Sequence, residues 1–332
     1  MKKHKICKIL LVILAIFLCV AFYELLGICV AYKKQPEVSN TTKKETKNGS
    51  WNECSENTER AVIIEKNPEA LLQRVRLIKN AKKEIILSTF AFQSDESGKL
   101  ILGALHDAAD RGVHIRLLVD GMESWIDMEG NPYFYGLSSH ENVEIKLYNK
   151  ANPLKPWKMM GRMHDKYLIA DGKRYILGGR NTYNYFLGDF PGHKNYDRDV
   201  LVVCDEPEKE NSVNQLLEYF ETIWEQEDSG YFHDNKKLAN RKSVKNAVLE
   251  LQNGYQKYFE ENKERICDTD YTDETFETEK IALVSNPIHT GSKEPVVWYQ
   301  LGELMKNAKN RVKIHTPYII CNDMMYNTWE EI

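Results

Sequence analysis

The alternation of apolar and polar positions predicts most of the elements. Ile9 to Tyr32 is apolar apart from Glu24, and lysines stand on both sides at positions 2, 3, 5, 8, 33 and 34. A run of roughly 20 apolar residues is enough to cross a bilayer. Residues 35–59 turn polar and read as a stalk. The folded region then opens with a short strand, Ala61 to Ile64. Asn67-Pro68-Glu69 reads as a helix start, with Asn67 as N-cap and Pro68 at the first helical position. Leu71, Val75 and Ile78 recur at helical spacing and define its buried face. Apolar runs at 85–92 and 115–119 predict buried strands around a helix over 100–111 that Gly112 stops. Strand, helix, strand in that order implies a parallel sheet covered by helices, an α/β class. Further strands are expected at 143–148, 166–170, 175–177 and 200–203. Asp171-Gly172 supplies a tight hairpin turn between the second and third of these. A helix is expected over 216–224, then a helical connector over 235–264 and an acidic loop over 268–279.

One stretch recurs. Ile78-Lys79-Asn80-Ala81-Lys82, with the strand Ile85 to Thr89 after it, matches Met305-Lys306-Asn307-Ala308-Lys309 followed by Val312 to Thr316, 227 positions later. Both copies place Lys-Asn-Ala-Lys at a helix end before a buried strand. The expected organisation is therefore a leader and membrane anchor at 1–34, a polar stalk at 35–59, and a complete domain at 60–230. A helical connector with an acidic loop follows at 231–279, and the start of a second domain at 280–332.

Composition changes this picture little. The net charge of −4 and the absence of a visible basic groove argue against a nucleic-acid partner. The basic leader favours an N-in anchor with the domain outside the cytoplasm. A cleaved signal peptide with Ile9 to Phe22 as its core is the rival reading. The seven cysteines show no C-x-x-C spacing, so no cysteine metal site is expected. Cys54, Cys204, Cys267 and Cys321 permit a disulfide outside the cytoplasm, but spacing does not pick the pair.

The chemistry gathers between Met163 and Asn181. His164, Lys166, Asp171, Gly178, Gly179 and Asn181 form the pattern H-x-K-x4-D-x6-G-G-x-N. On an extended backbone, positions two apart face the same side, so His164 and Lys166 point together. An imidazole is a competent nucleophile, and a neighbouring ammonium stabilises charge on phosphoryl oxygens. Asn181 can donate to those oxygens, unless it caps the turn after the glycines. Gly178 and Gly179 let a phosphate approach the backbone. Asp171 either takes part in the chemistry or only shapes its turn. Trp125 and Trp157 either line a lipid-facing mouth or belong to the core.

This pattern resembles the signature of the phospholipase D superfamily, with Gly179 where many members carry serine. Ala108 to Val113 before Ile115, and Asp197-Arg198-Asp199-Val200, are most similar to the bacterial cardiolipin synthase branch. The resemblance implies an α-β-α sandwich built from two pseudo-symmetric halves, no cofactor and no metal. One histidine attacks phosphorus to form a phosphohistidine, and a second protonates the leaving alcohol. Asp197 would orient a catalytic histidine. The expected substrate is a phosphatidylglycerol-like phospholipid in the membrane. A nuclease of the same superfamily, or a non-catalytic membrane-tethered relative, is the alternative. By the repeat offset the second histidine falls past Ile332. The expectation is a truncated form of a longer protein, or a homodimer in which each copy supplies one histidine.

Overall fold

The computed structural model describes residues 2–47, 59–207, 211–233, 235–316 and 318–332. In chain order its elements are α1 (Lys2–Tyr32), α2 (Asn40–Lys47), β1 (Arg60–Ile64), α3 (Asn67–Asn80), β2 (Glu84–Thr89), α4 (Glu96–Asp110) and β3 (His114–Asp120). Next come α5 (Gly121–Asp127), α6 (Pro132–Ser138), β4 (Val143–Tyr148), β5 (Tyr167–Ala170), β6 (Arg174–Gly178) and β7 (Asp199–Val203). The remainder is α7 (Ser212–Trp224), β8 (Ser229–Tyr231), α8 (Lys242–Glu261), α9 (Lys263–Cys267), β9 (Phe276–Glu277), α10 (Val296–Lys306) and α11 (Asp323–Glu331). The chain divides into two compact units, one of residues 55–154 and 161–281, the other of residues 1–54, 155–160 and 282–332.

The larger unit is built on a nine-stranded mixed sheet in the order β8-β4-β3-β2-β5-β6-β7-β1-β9. β2, β3 and β4 run parallel, and β5 turns antiparallel against β2. Side chains alternate across the pleat. Ile85, Leu87, Ile115, Leu117, Val119 and Ile145 join one core with Val75, Leu105, Phe134 and Leu251 of α3, α4, α6 and α8. On the opposite face Arg116 lies 4.8 Å from the Phe220 ring of α7 and pairs with Glu84 and Glu221. The fold is thus an α/β sandwich with helices on both faces of the sheet. Local sequence explains the element ends. Asp95 caps α4 through Gly98 N, and Gly112 takes the left-handed conformation that ends it.

Four expectations need correction here. Asn67 is not the N-cap of α3. The cap position is Lys66, and the Asn67 amide instead donates to the carbonyls of Tyr185 and Asn195. The strand expected from Lys166 begins at Tyr167. The segment 231–279 packs into the larger unit, because Val244, Leu251, Tyr255 and Phe259 form a helical stripe that is buried in its core. The strand expected at 312–316 does not form. β2 is held between β3 and β5, whereas 312–316 has no strand partner among the described residues, and Ile314 is exposed.

In the smaller unit, Lys5 to Tyr32 of α1 is long and apolar enough to cross a membrane. Its apolar side chains are exposed, as at Leu11, Phe17 and Phe22. The region expected as a stalk carries α2, which Glu294 holds by accepting from Ser39 N at 2.8 Å and Thr42 Oγ1 at 2.6 Å. Residues 48–58 of that stalk, Cys54 among them, lie outside the described residues.

Candidate active site

The candidate residues His164, Lys166, Gly178, Gly179 and Asp197 gather at one end of the larger unit's sheet. There the carboxyl ends of β2, β3 and β6 meet the amino ends of β5 and β7, as the pairs Ser88 with Tyr167 and Gly178 with Asp199 show. Open α/β sheets commonly bind ligands outside the carboxyl ends of their parallel strands.

His164 and Lys166 sit in the extended segment just before β5. The His164 ring meets the Phe90 ring edge-on with centroids 4.6 Å apart, and Lys166 Nζ lies 5.1 Å from the same ring. The two side chains therefore flank one aromatic ring, as same-side positions on an extended backbone should. His164 is exposed, while Lys166 is only 5% exposed and donates to the His164 carbonyl at 2.6 Å. Asp165 between them points away and accepts from the Tyr219 hydroxyl of α7.

The electrostatics suit a nucleophile beside a cation. Partial burial, then the charges of Lys166 and Arg162, hold the His164 imidazole below its ordinary value, with Asp120 opposing them. The neutral, nucleophilic ring is therefore favoured. Burial lowers Lys166 to about 8, against the pull of Asp165, Asp197 and Asp120.

Gly178 ends β6 and Gly179 follows it. A Cβ on Gly179 would collide with the Asp197 carboxylate, and one on Gly178 with Asp199. A side chain at 179 would require the Asp197 carboxylate to shift. Asp197 accepts from Arg198 N, and its backbone carbonyl accepts from Arg180. The carboxylate whose charge acts on the His164 ring is Asp120, while that of Asp197 acts on Lys166.

The structure does not bring Asp171 to this end. It lies beyond the other end of β5, at φ 55°, and its carboxylate accepts from the backbone N–H groups of Lys82, Lys83 and Glu84. Of the two roles open to it, the structure shows the structural one. Asn181 is near the site but engaged. Its Oδ1 accepts from Ala91 N at 3.3 Å, and its side chain bonds the Tyr183 hydroxyl. It fixes the loop after β2 rather than lying open to a phosphate.

Two groups escaped the sequence reading. Asp120, at the carboxyl end of β3, is buried. It accepts from Arg162 Nε at 2.9 Å and from Met163 N at 3.1 Å, and caps α5 through Met122 N. It thereby anchors the two residues ahead of His164. The only sequence signal was an acid ending a parallel strand. The second group is the buried ion triad of Asp199 with Arg74 at 2.9 Å and Arg180 at 3.2 Å. Arg180 also donates to the carbonyls of Ile64 and Glu65 and so fixes the loop after the glycines. Among the described residues, no group of three or more His, Cys, Asp or Glu side chains is placed to hold a metal.

Residues 74–224 match the family described as "Cardiolipin synthase, PLD-like domain". A Helicobacter pylori protein described as uncharacterized is 29% identical over 288 residues, covering 78% of this chain and 54% of its own. Cardiolipin synthase C of Escherichia coli is 29% identical over 171 residues, covering 47% of this chain and 34% of its own. The chain thus spans about half or less of the length of these curated relatives. Among solved structures, phosphatidylserine synthase from Haemophilus influenzae is 16% identical with a TM-score of 0.45, covering 74% of this chain and 52% of that one. The domain matched at residues 74–224, which holds His164, Lys166 and the two glycines at the end of the mixed sheet, is a phospholipase D-like domain.

Proposed function

We propose that the protein is a membrane-anchored phosphodiesterase or phosphatidyltransferase that acts on phospholipid, in the manner of a cardiolipin synthase. The observation that carries this reading is the pairing, around Phe90, of an exposed imidazole of lowered basicity with a buried ammonium. A ring nitrogen of His164 attacks the phosphorus of the diester. The nitrogen–phosphorus bond forms, and the bond from phosphorus to the leaving alcohol breaks. Lys166 stabilises the charge that builds on the phosphoryl oxygens. The departing oxygen needs a proton donor, and the arrangement that the family resemblance implies assigns it to a second histidine. Water or a second lipid hydroxyl then attacks the phosphohistidine and frees His164. The apolar length of α1 favours lipid over nucleic acid as the substrate.

The test is to incubate the full-length protein with vesicles containing phosphatidylglycerol labelled in its phosphate. An acid-labile label on the protein should appear, and His164→Ala should abolish both label and turnover. DNA offered in parallel separates the nuclease reading. Cleavage of DNA without lipid turnover would defeat the proposal.

A further inference from the structure

We infer that residues 155–160 form a docking loop that seats on anionic phospholipid headgroups beside the carboxyl end of α1. The inference extends the proposed function by naming how the lipid surface is held, and it rests on the membrane placement of α1. Within the smaller unit, Pro156 is buried directly against Gly27 of α1. A Cβ at position 27 would stand 2.5 Å from Pro156 Cγ and 2.9 Å from its Cβ. Gly27 is five residues before the end of the helix at Tyr32, an axial distance of about 7.5 Å. That depth belongs to the boundary between headgroups and acyl chains when the helix spans a bilayer.

The loop's side chains suit that boundary. Pro156 faces the helix, whereas Trp157 and Met160 are 45% and 58% exposed. Tryptophan is enriched at membrane interfaces, where its ring sits at headgroup level. Lys155 and Lys158 flank it, and Lys33 and Lys34 follow the end of α1. Lysines there keep their stems along apolar surface and their charges toward anionic headgroups.

The test reconstitutes the full chain into vesicles of phosphatidylcholine with a minority of phosphatidylglycerol, brominated either near the headgroup or at the chain end. The chain has six tryptophans, so the Trp157 signal is the difference between wild type and Trp157→Phe. Preferential quenching of that difference signal by the shallow bromines supports the docking loop. Equal quenching in both proteins overturns it. In a second arm, Trp157→Ala should slow turnover of vesicle lipid about fivefold to tenfold. The same variant should leave cleavage of a soluble aryl phosphodiester unchanged. Equal loss on both substrates, or no loss on vesicles, overturns the loop's role. Should the wild type turn over no lipid, the proposed function fails, and the quenching experiment still decides the docking.

Discussion

His164 and Lys166 should shape the two limbs of one pH profile. The His164 ring is held below its ordinary value of 6.5, so the nucleophile is freed as pH rises through a point below 6.5. Lys166 is lowered to about 8, so its charge is lost, and activity with it, as pH rises through about 8. A profile of kcat/KM on a soluble diester should therefore be bell-shaped between those points. Lys166→Arg keeps the charge at every accessible pH and should remove the alkaline limb, at a lower plateau. Gly179→Ala should shift that limb toward lower pH. The new methyl displaces the Asp197 carboxylate, whose charge helps keep Lys166 protonated. An alkaline limb untouched by either substitution would show that another group titrates there. His164, Lys166 and the two glycines were legible because they lie within one short stretch whose spacing is itself the signal. Phe90, Asp120 and Arg162 were not, since nothing in the chain brings positions so far apart together until β2, β3 and β5 are side by side.

Two carboxylates, Asp199 at the start of β7 and Asp171 just past β5, hold elements in place, and their substitution should cost stability. Asp199 is fully buried between Arg74 of α3 and the Arg180 loop. Asp199→Ala leaves two buried guanidinium groups without their shared partner and should destabilise the domain by about 3–5 kcal/mol in denaturant unfolding. Asp171→Ala removes the acceptor of three backbone N–H groups and should cost about 1–3 kcal/mol. The kcat of the folded protein should not change. A tenfold fall in kcat with an unmoved unfolding midpoint would instead make Asp171 part of the chemistry. The long elements were readable because their apolar period is unambiguous. α3, α4 and β4 appear where their patterns place them. The short helices α5 and α6 were not, since seven residues carry too few turns to show a period. The Asp171-Gly172 turn was legible from its residue types, and both residues take positive φ. The carboxylate's reach to the start of β2 was not, because it depends on the sheet.

At the scale of the molecule, the apolar surface of α1 should govern where the protein resides. The full-length chain should stay with membranes through alkaline carbonate washing and leave them only in detergent, as sedimentation followed by immunoblotting would show. Release by carbonate alone would remove the anchor from the account. The long apolar helix was plain in the sequence because hydropathy needs no fold to interpret it. The membership of 231–279 in the larger unit was hidden, because an amphipathic stripe announces that a helix must pack and not against what. The repeat at 305–316 misled at its strand, because a matching string of residues does not supply neighbouring strands. The sheet's two ends have opposite duties, and this gives the distant Asp171 a reach beyond its own contacts. By gripping the backbone ahead of β2 it sets the zero mark of a ruler whose graduations are the rungs between β2 and β5. One notch of slippage would turn every side chain on β5 to the other face and carry Lys166, just ahead of that strand, away from its place beside Phe90.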